Sequence, residues 1–265
     1  MLRKFSLLTA FLLTVLYVQA QGFKFGVHVD PLVSFMASND KKVVPKGAQM
    51  GFGLGVEMEY YFSDGENYAF TFGGNFSLGK GGKLSYINSG VLLPNSTLFE
   101  SSYFRTDSAG LSVSAPSGDD LKLVAGTTVR YNVNYLEIPF GLKLRTNELG
   151  QSYLRAFFHI PMVTIGIPVS ARGTVNAPEQ TTDTSFEYYT KEPVKGENIY
   201  KDINFLQLSL GTGAGVEWSP NDDGGLRLVG GLYYNYGFID MVKKNTTESV
   251  RTGFHNIGLR IGIIF

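Results

Sequence analysis

The sequence predicts an all-β chain: an eight-stranded antiparallel transmembrane β-barrel behind an export signal. Three observations carry this. The hydrophobic period is two along most of the chain. The alternating segments are about a dozen residues or longer, against ~5–6 for ordinary strands. The connections between them alternate strictly between short and long.

The N-terminus comes first. Arg3 and Lys4 give a positive start, and Phe5 to Val18 is an apolar run broken only by Ser6, Thr9 and Thr14. Val18-Gln19-Ala20 places small residues for cleavage after Ala20, so residues 1–20 read as a secretory signal peptide and 21–265 as the exported barrel. The run is short for a ~20-residue membrane span, and no later segment has the ~18 consecutive apolar residues of a transmembrane helix. The chain contains no cysteine, which excludes disulfides, thiolate chemistry and a lipid-anchored N-terminus. Lys+Arg and Asp+Glu are both 23, so no basic surface points to nucleic acid.

Eight alternating segments follow, at 22–36, 48–62, 66–80, 129–146, 152–170, 203–219, 225–241 and 252–265. In the second, Met50, Phe52, Leu54, Val56, Met58, Tyr60 and Phe62 oppose Gln49, three glycines, Glu57 and Glu59. In the sixth, Leu206, Leu208, Leu210, Val216 and Trp218 oppose Gln207, Ser209, glycines and Glu217. The eighth sets Ile257, Leu259, Ile261, Ile263 and Phe265 against Asn256, Gly258, Arg260 and Gly262. An apolar face towards lipid and a polar face towards a lumen is the pattern a membrane strand needs. Closure into a ring follows, because an open sheet edge in hydrocarbon leaves N–H and C=O groups unpaired. The fifth segment alternates least; His159, Pro161 and Pro168 predict a bulge or bend there.

The connections 63–66, 147–150 and 220–224 are short and made of turn residues. Those at 37–47, 81–128, 171–202 and 242–251 are long and polar. This is the up-and-down meander of a small OmpA/OmpX-type barrel, with short periplasmic turns and long extracellular loops. The loop at 81–128 carries Tyr86, Phe99, Tyr103 and Phe104 and is expected to include strand extensions.

The inward face carries Lys24, Asp30, Glu57, Glu59, Glu137, Lys143, Arg145, Glu217, Arg227 and Arg260. An eight-stranded barrel is just wide enough to be filled by side chains. Charges enclosed there must pair, so a structural ion-pair network is expected rather than an ion path. The glycines at 51, 53, 55 and 211–215 are expected to make room for large neighbours; no helix or Lys-Ser/Thr follows them as a nucleotide loop needs. No catalytic, cofactor-binding or metal-ligating set is predicted. His28 and Asp30 share a face with Ser34 further along, the nearest approach to hydrolytic machinery, and a paired lumen histidine explains it more simply.

At Asn134-Tyr135-Leu136-Glu137-Ile138-Pro139-Phe140-Gly141-Leu142-Lys143 the chain resembles the PorT-like outer-membrane β-barrels of Bacteroidota. The runs Gly211–Glu217, Tyr234-Asn235-Tyr236-Gly237 and Gly258–Phe265 resemble further strands of that family. The resemblance implies an outer-membrane location in a Gram-negative bacterium and contact with its lipid. It also implies recognition of terminal Phe265 by the barrel-assembly machinery. Some members serve type IX secretion, so an accessory role in secretion is one expectation. The leading expectation is a non-enzymatic scaffold whose extracellular loops bind a protein or surface ligand. A lipid-modifying membrane enzyme and a narrow solute channel are the alternatives. No further domain is expected after Phe265.

Overall fold

The computed structural model describes residues 22–39, 43–62, 66–87, 90–91, 122–123, 126–150, 152–176, 194–220, 225–243 and 251–265. The expected signal peptide at 1–20, Phe99, Tyr103 and Phe104 lie outside the described residues. Eight long strands form the body: β1 (Phe23–Ser38), β2 (Gln49–Tyr61), β3 (Tyr68–Tyr86), β4 (Thr128–Arg145), β5 (Leu154–Asn176), β6 (Gln207–Trp218), β7 (Arg227–Gly237) and β8 (Thr252–Ile264). Each pairs antiparallel with its sequence neighbours. β8 returns to β1, with Gly26 opposite Ile264 and Ser38 opposite Thr252, so the ring closes. The short connections gather at one end, the turn end, and the long ones at the other, the loop end.

β3, β4 and β5 are the longest strands, at 19, 18 and 23 residues. β3 runs to Tyr86 and β5 to Asn176, so the stretches 81–86 and 171–176 belong to strands rather than loops. Short strands at Val43–Gly47 and Val194–Asn198 add to β3 and β5, raising a sheet beyond the loop end. β6 and β7 are shorter than their alternation suggests. Around 199–206 and 238–243 the chain leaves the ring and turns over the mouth, where Ile203 bridges to Val242.

The two faces exchange character along the raised strands. In β4, Leu136, Ile138, Phe140, Leu142 and Leu144 point outward while Glu137, Lys143 and Arg145 point inward. Beyond Tyr135 the order reverses. Arg130, Asn132 and Asn134 point outward, and Val129, Tyr131, Val133 and Tyr135 are fully buried inside. β5 does the same, with Ile165, Ile167 and Val169 outward before Ser170, Arg172 and Thr174. The apolar outer stretch from Leu136 to Leu144 matches the ~9–11 residues a tilted strand needs to cross a bilayer. Aromatic rings gather at both rims. Phe23 lies tilted against Tyr60, and Phe62 stacks on Tyr68 and lies tilted against Phe70, at the turn end; Tyr234 and Tyr236 flank His255 nearer the loop end.

Three bulges set which side chains enter the lumen; one falls at Val169 on β5, between Pro168 opposite Tyr135 and Ser170 opposite Asn134. On β5, Met162 and His159 face positions two apart on both neighbours, Gly211 and Gly213 on β6 and Gly141 and Lys143 on β4, so Ile160-Pro161 stands against a single residue on each side. This is the irregularity the prolines predict, and it keeps His159 and Met162 both inside. On β3 the register to β4 jumps between Ser77 and Lys80. Gly79, at φ +74°, absorbs the jump.

Candidate functional site: the filled lumen

The polar half of the lumen lies towards the turn end and is built around Lys143. Its Nζ bridges the carboxylates of Glu59 and Glu217, all three almost wholly buried. Arg145 donates to the other oxygen of Glu217 at 3.0 Å and to Glu66 at 2.7 Å. Arg227 also donates to Glu66, and to the Tyr61 hydroxyl at 3.0 Å. That hydroxyl donates to Glu59. Higher up, Arg260 grips both oxygens of Asp30 at 3.0 and 3.1 Å and donates to Glu57 at 2.5 Å. A separate pair joins Lys80 to Glu137 at 2.6 Å, with Ser77 donating to the same carboxylate. The cations also lie over rings: Lys143 over Phe157 at 4.7 Å and Arg260 over Tyr233 at 4.2 Å. Such buried pairs are stable only when their remaining lone pairs and protons are satisfied; the layering supplies most of these partners, while the buried ring nitrogens His28 Nε2 and His159 Nε2 have no hydrogen-bond partner among the described residues.

All ten expected lumen residues line this interior. Lys24 stands opposite Glu59 in the β1–β2 register, at the turn end. The sequence reading missed Glu66, Lys80, Tyr61, Phe157 and Tyr233. Glu66 sits in a turn, outside any period-two count. Lys80 faces inward only because of the bulge at Gly79, and the Gly79-Lys80-Gly81-Gly82 run was the available signal. For Glu66, partial burial would raise the carboxyl, but the hydrogen bond from Arg145 and the charges of Arg227 and Arg145 hold it below the usual carboxylate range.

The loop-end half of the interior is apolar. Met36, Leu84, Tyr131, Tyr135, Val175, Phe254, Ile199, Ile203 and Met241 form one buried cluster. A polar lumen along the full height was the expectation; here the strands have left the apolar belt, and the inside becomes the dry side. Between the two halves lies a cavity of about 30 Å³ lined by Asp30, Asn75, Lys80, Tyr233, Asn235 and Arg260 among others. That is room for about one or two waters, not for a solute path.

Among the described residues no histidine ring is hydrogen-bonded to a serine or threonine hydroxyl. His28 Nδ1 lies 2.9 Å from Asp30, which Arg260 already holds. Ser34 is wholly buried and donates to the Gly81 carbonyl at 2.9 Å. His159 Nδ1 pairs with the Tyr233 hydroxyl at 3.0 Å. Donor atoms of Glu57, Glu59 and His159 lie within 4.8 Å of one another, the closest approach to a metal-ligand set among the described residues. Arg260 and Lys143 engage both carboxylates, so a divalent ion there would meet two fixed positive charges. The inner glycines do make room: a Cβ on Gly213 would lie 2.5 Å from the Tyr233 ring, and one on Gly215 2.6 Å from Phe157.

A family model described as outer membrane protein beta-barrel domain matches residues 19–243. No curated protein matches the chain. Among solved structures, Neisserial surface protein A is 15% identical, with 89% of this chain and 96% of that one covered and a TM-score of 0.36. Ail, the attachment invasion locus protein of Yersinia pestis, is 11% identical, with coverages of 90% and 97% and a TM-score of 0.35. The outer membrane enzyme PagL is 10% identical, with coverages of 88% and 97% and a TM-score of 0.27. These likenesses extend to the barrel and carry no assignment of activity.

Proposed function

As a member of the outer membrane protein beta-barrel domain family the chain is an outer-membrane barrel, and on that premise we propose that it is a non-enzymatic scaffold presenting its long loops to a protein or surface ligand. The observation that carries this reading is the double closure of the lumen, by ion pairs towards the turn end and by the Tyr131–Tyr135–Phe254 cluster at the loop end. It speaks against a channel. Neither lumen histidine has a serine or threonine hydroxyl bonded to it among the described residues, which speaks against a hydrolase. What differs from a bare barrel is the raised loop-end sheet and the connections it supports.

The signal at 1–20 delivers the chain, and assembly reads Phe265, whose backbone exchanges hydrogen bonds of 3.0 and 2.7 Å with Phe25. Protease added to intact cells should cut within 92–121 and 177–193 and leave the barrel whole. Recovery of the protein as soluble periplasmic material sinks the reading. Planar bilayers should stay silent; discrete conductance steps would favour the channel instead. The PorT-like resemblance supports a narrower form, an accessory role in secretion. A deletion strain that retains normal secreted cargo removes that form alone.

A further inference from the structure

The outer wall carries a cleft of about 460 Å³ where the apolar belt gives way to polar residues. Its lower lip is Met50, Phe52 and Leu78; its upper lip is Asn132, Asn134, Ser170 and Arg172. The cleft exists because β2–β3 pairing stops at Phe52–Leu78, and β3 then turns to the short strand 43–47. Met50 is left 84% exposed. The polar groups freed by the bulge are tied down. Gly79 N–H donates to Asn134 Oδ1 at 3.0 Å, Gln49 Nε2 to the Gly79 carbonyl at 2.8 Å, and Asn134 Nδ2 to Ser170 at 2.9 Å. The cleft wall is therefore a fixed surface.

Three cations gather on the same outer face. Lys83 stands directly opposite Arg130 across β3–β4, and Arg172 stands opposite Asn132 across β4–β5. Among the described residues none of the three makes an ion pair. Like charges directly opposite in a sheet repel, and the partner Arg130 has among the described residues, Gln49 at 2.9 Å, is neutral. A bridging anion would relieve this. A guanidinium suits a phosphate in particular.

We propose that this cleft binds an anionic phospholipid-type molecule of the leaflet at the loop end. Its phosphate meets Arg172, Lys83 and Arg130, and an acyl chain lies along Met50, Phe52 and Leu78. A soluble phosphate would leave the apolar lip uncovered, and a zwitterionic lipid would leave the three cations uncompensated. The site lies on the wall, outside both the lumen and the loops, so it stands whether or not the loops bind a partner.

The test uses the mature barrel in phosphatidylcholine vesicles containing phosphatidylglycerol. Trp218→Phe removes the native tryptophan, and Phe52→Trp places a reporter in the cleft. Brominated phosphatidylglycerol should quench that reporter with about fivefold higher apparent affinity than brominated phosphatidylcholine, the preference that about one basic residue near an anionic surface confers. Arg172→Gln with Lys83→Gln and Arg130→Gln should return the ratio to near one, while heat-modifiable mobility confirms a folded barrel. A Tyr234→Trp reporter should show no preference. Equal quenching at the cleft, a preference that survives the triple substitution, or an equal preference at position 234 overturns the site. Loss of the preference on adding inorganic phosphate would assign the cations to a free anion and overturn the lipid.

Discussion

The charge layer makes a quantitative demand on Lys143. Its side chain is 1% exposed, between Glu59 and Glu217 at 0% and 1%. Lys143→Met keeps the volume and the contact with Phe157 but removes the cation from both carboxylates. Glu217 retains Arg145 at 3.0 Å, and Glu59 keeps the hydrogen bond from the Tyr61 hydroxyl. Removing one partner of a buried pair costs ~3–5 kcal/mol, whereas replacing both by neutral groups is often tolerated. With Glu217 still paired, the loss should fall near the lower end, about 3 kcal/mol, roughly a hundredfold in the folded-to-unfolded ratio. The double variant Glu59→Gln, Lys143→Met should recover at least half of it. Denaturant unfolding of the refolded barrel in micelles reads this through Trp218, the chain's single tryptophan, on the outer face at the turn end. A loss below about 1 kcal/mol, the scale of a surface pair, refutes the argument. So does a double variant no more stable than the single one.

Glu66 gives a pH signature. Its folded carboxyl titrates below the ordinary value of about 4.3, so the stability it adds is full above that pH and is lost as pH falls through the lower folded value. Glu66→Gln should flatten the acid limb of midpoint against pH, and an unchanged limb removes the role. Gly215 and Gly230 stand on adjacent strands and should behave oppositely. A Cβ at 215 would lie 2.2 Å from the Gly230 carbonyl, so Gly215→Ala should cost ~1–3 kcal/mol or more, while Gly230→Ala, with open space around it, should be near neutral in the same titration. Phe265→Ala keeps both backbone bonds to Phe25 yet should lower the heat-modifiable fraction in outer-membrane preparations; an undiminished fraction shows that assembly does not read the ring.

The strands were legible because lipid outside and side chains inside impose a strict period of two, and β2, β6 and β8 carry it without interruption. The lumen charges followed from the same count. Lys80 did not, since an inserted Gly79 shifts the face of everything after it, and a period cannot show a bulge without the partner strand. Glu66 enters from a turn, where no period applies. The cover formed by Ile199, Ile203 and Met241 needs the chain to leave the ring at 203 and 238, although both stretches continue to alternate. The cleft was equally hidden, because it depends on where β2–β3 pairing stops.

The reversal within β4 ties these observations together. From Leu136 to Leu144 the apolar residues face out, so the inside must be filled by polar groups, and polar groups enclosed away from water must pair; hence Lys143, Arg145, Glu137 and their partners. Above Tyr135 the outer face carries Arg130, Asn132 and Asn134, so the apolar residues are free to turn inward and bury one another as in a soluble sheet. Val129, Val133 and Tyr135 are therefore the core of the raised sheet as much as a stopper in the lumen. A channel would need that core emptied, at the expense of the raised sheet. The same residues that close the lumen at the loop end are the core of that sheet, so closure and the raised sheet are two consequences of one packing arrangement.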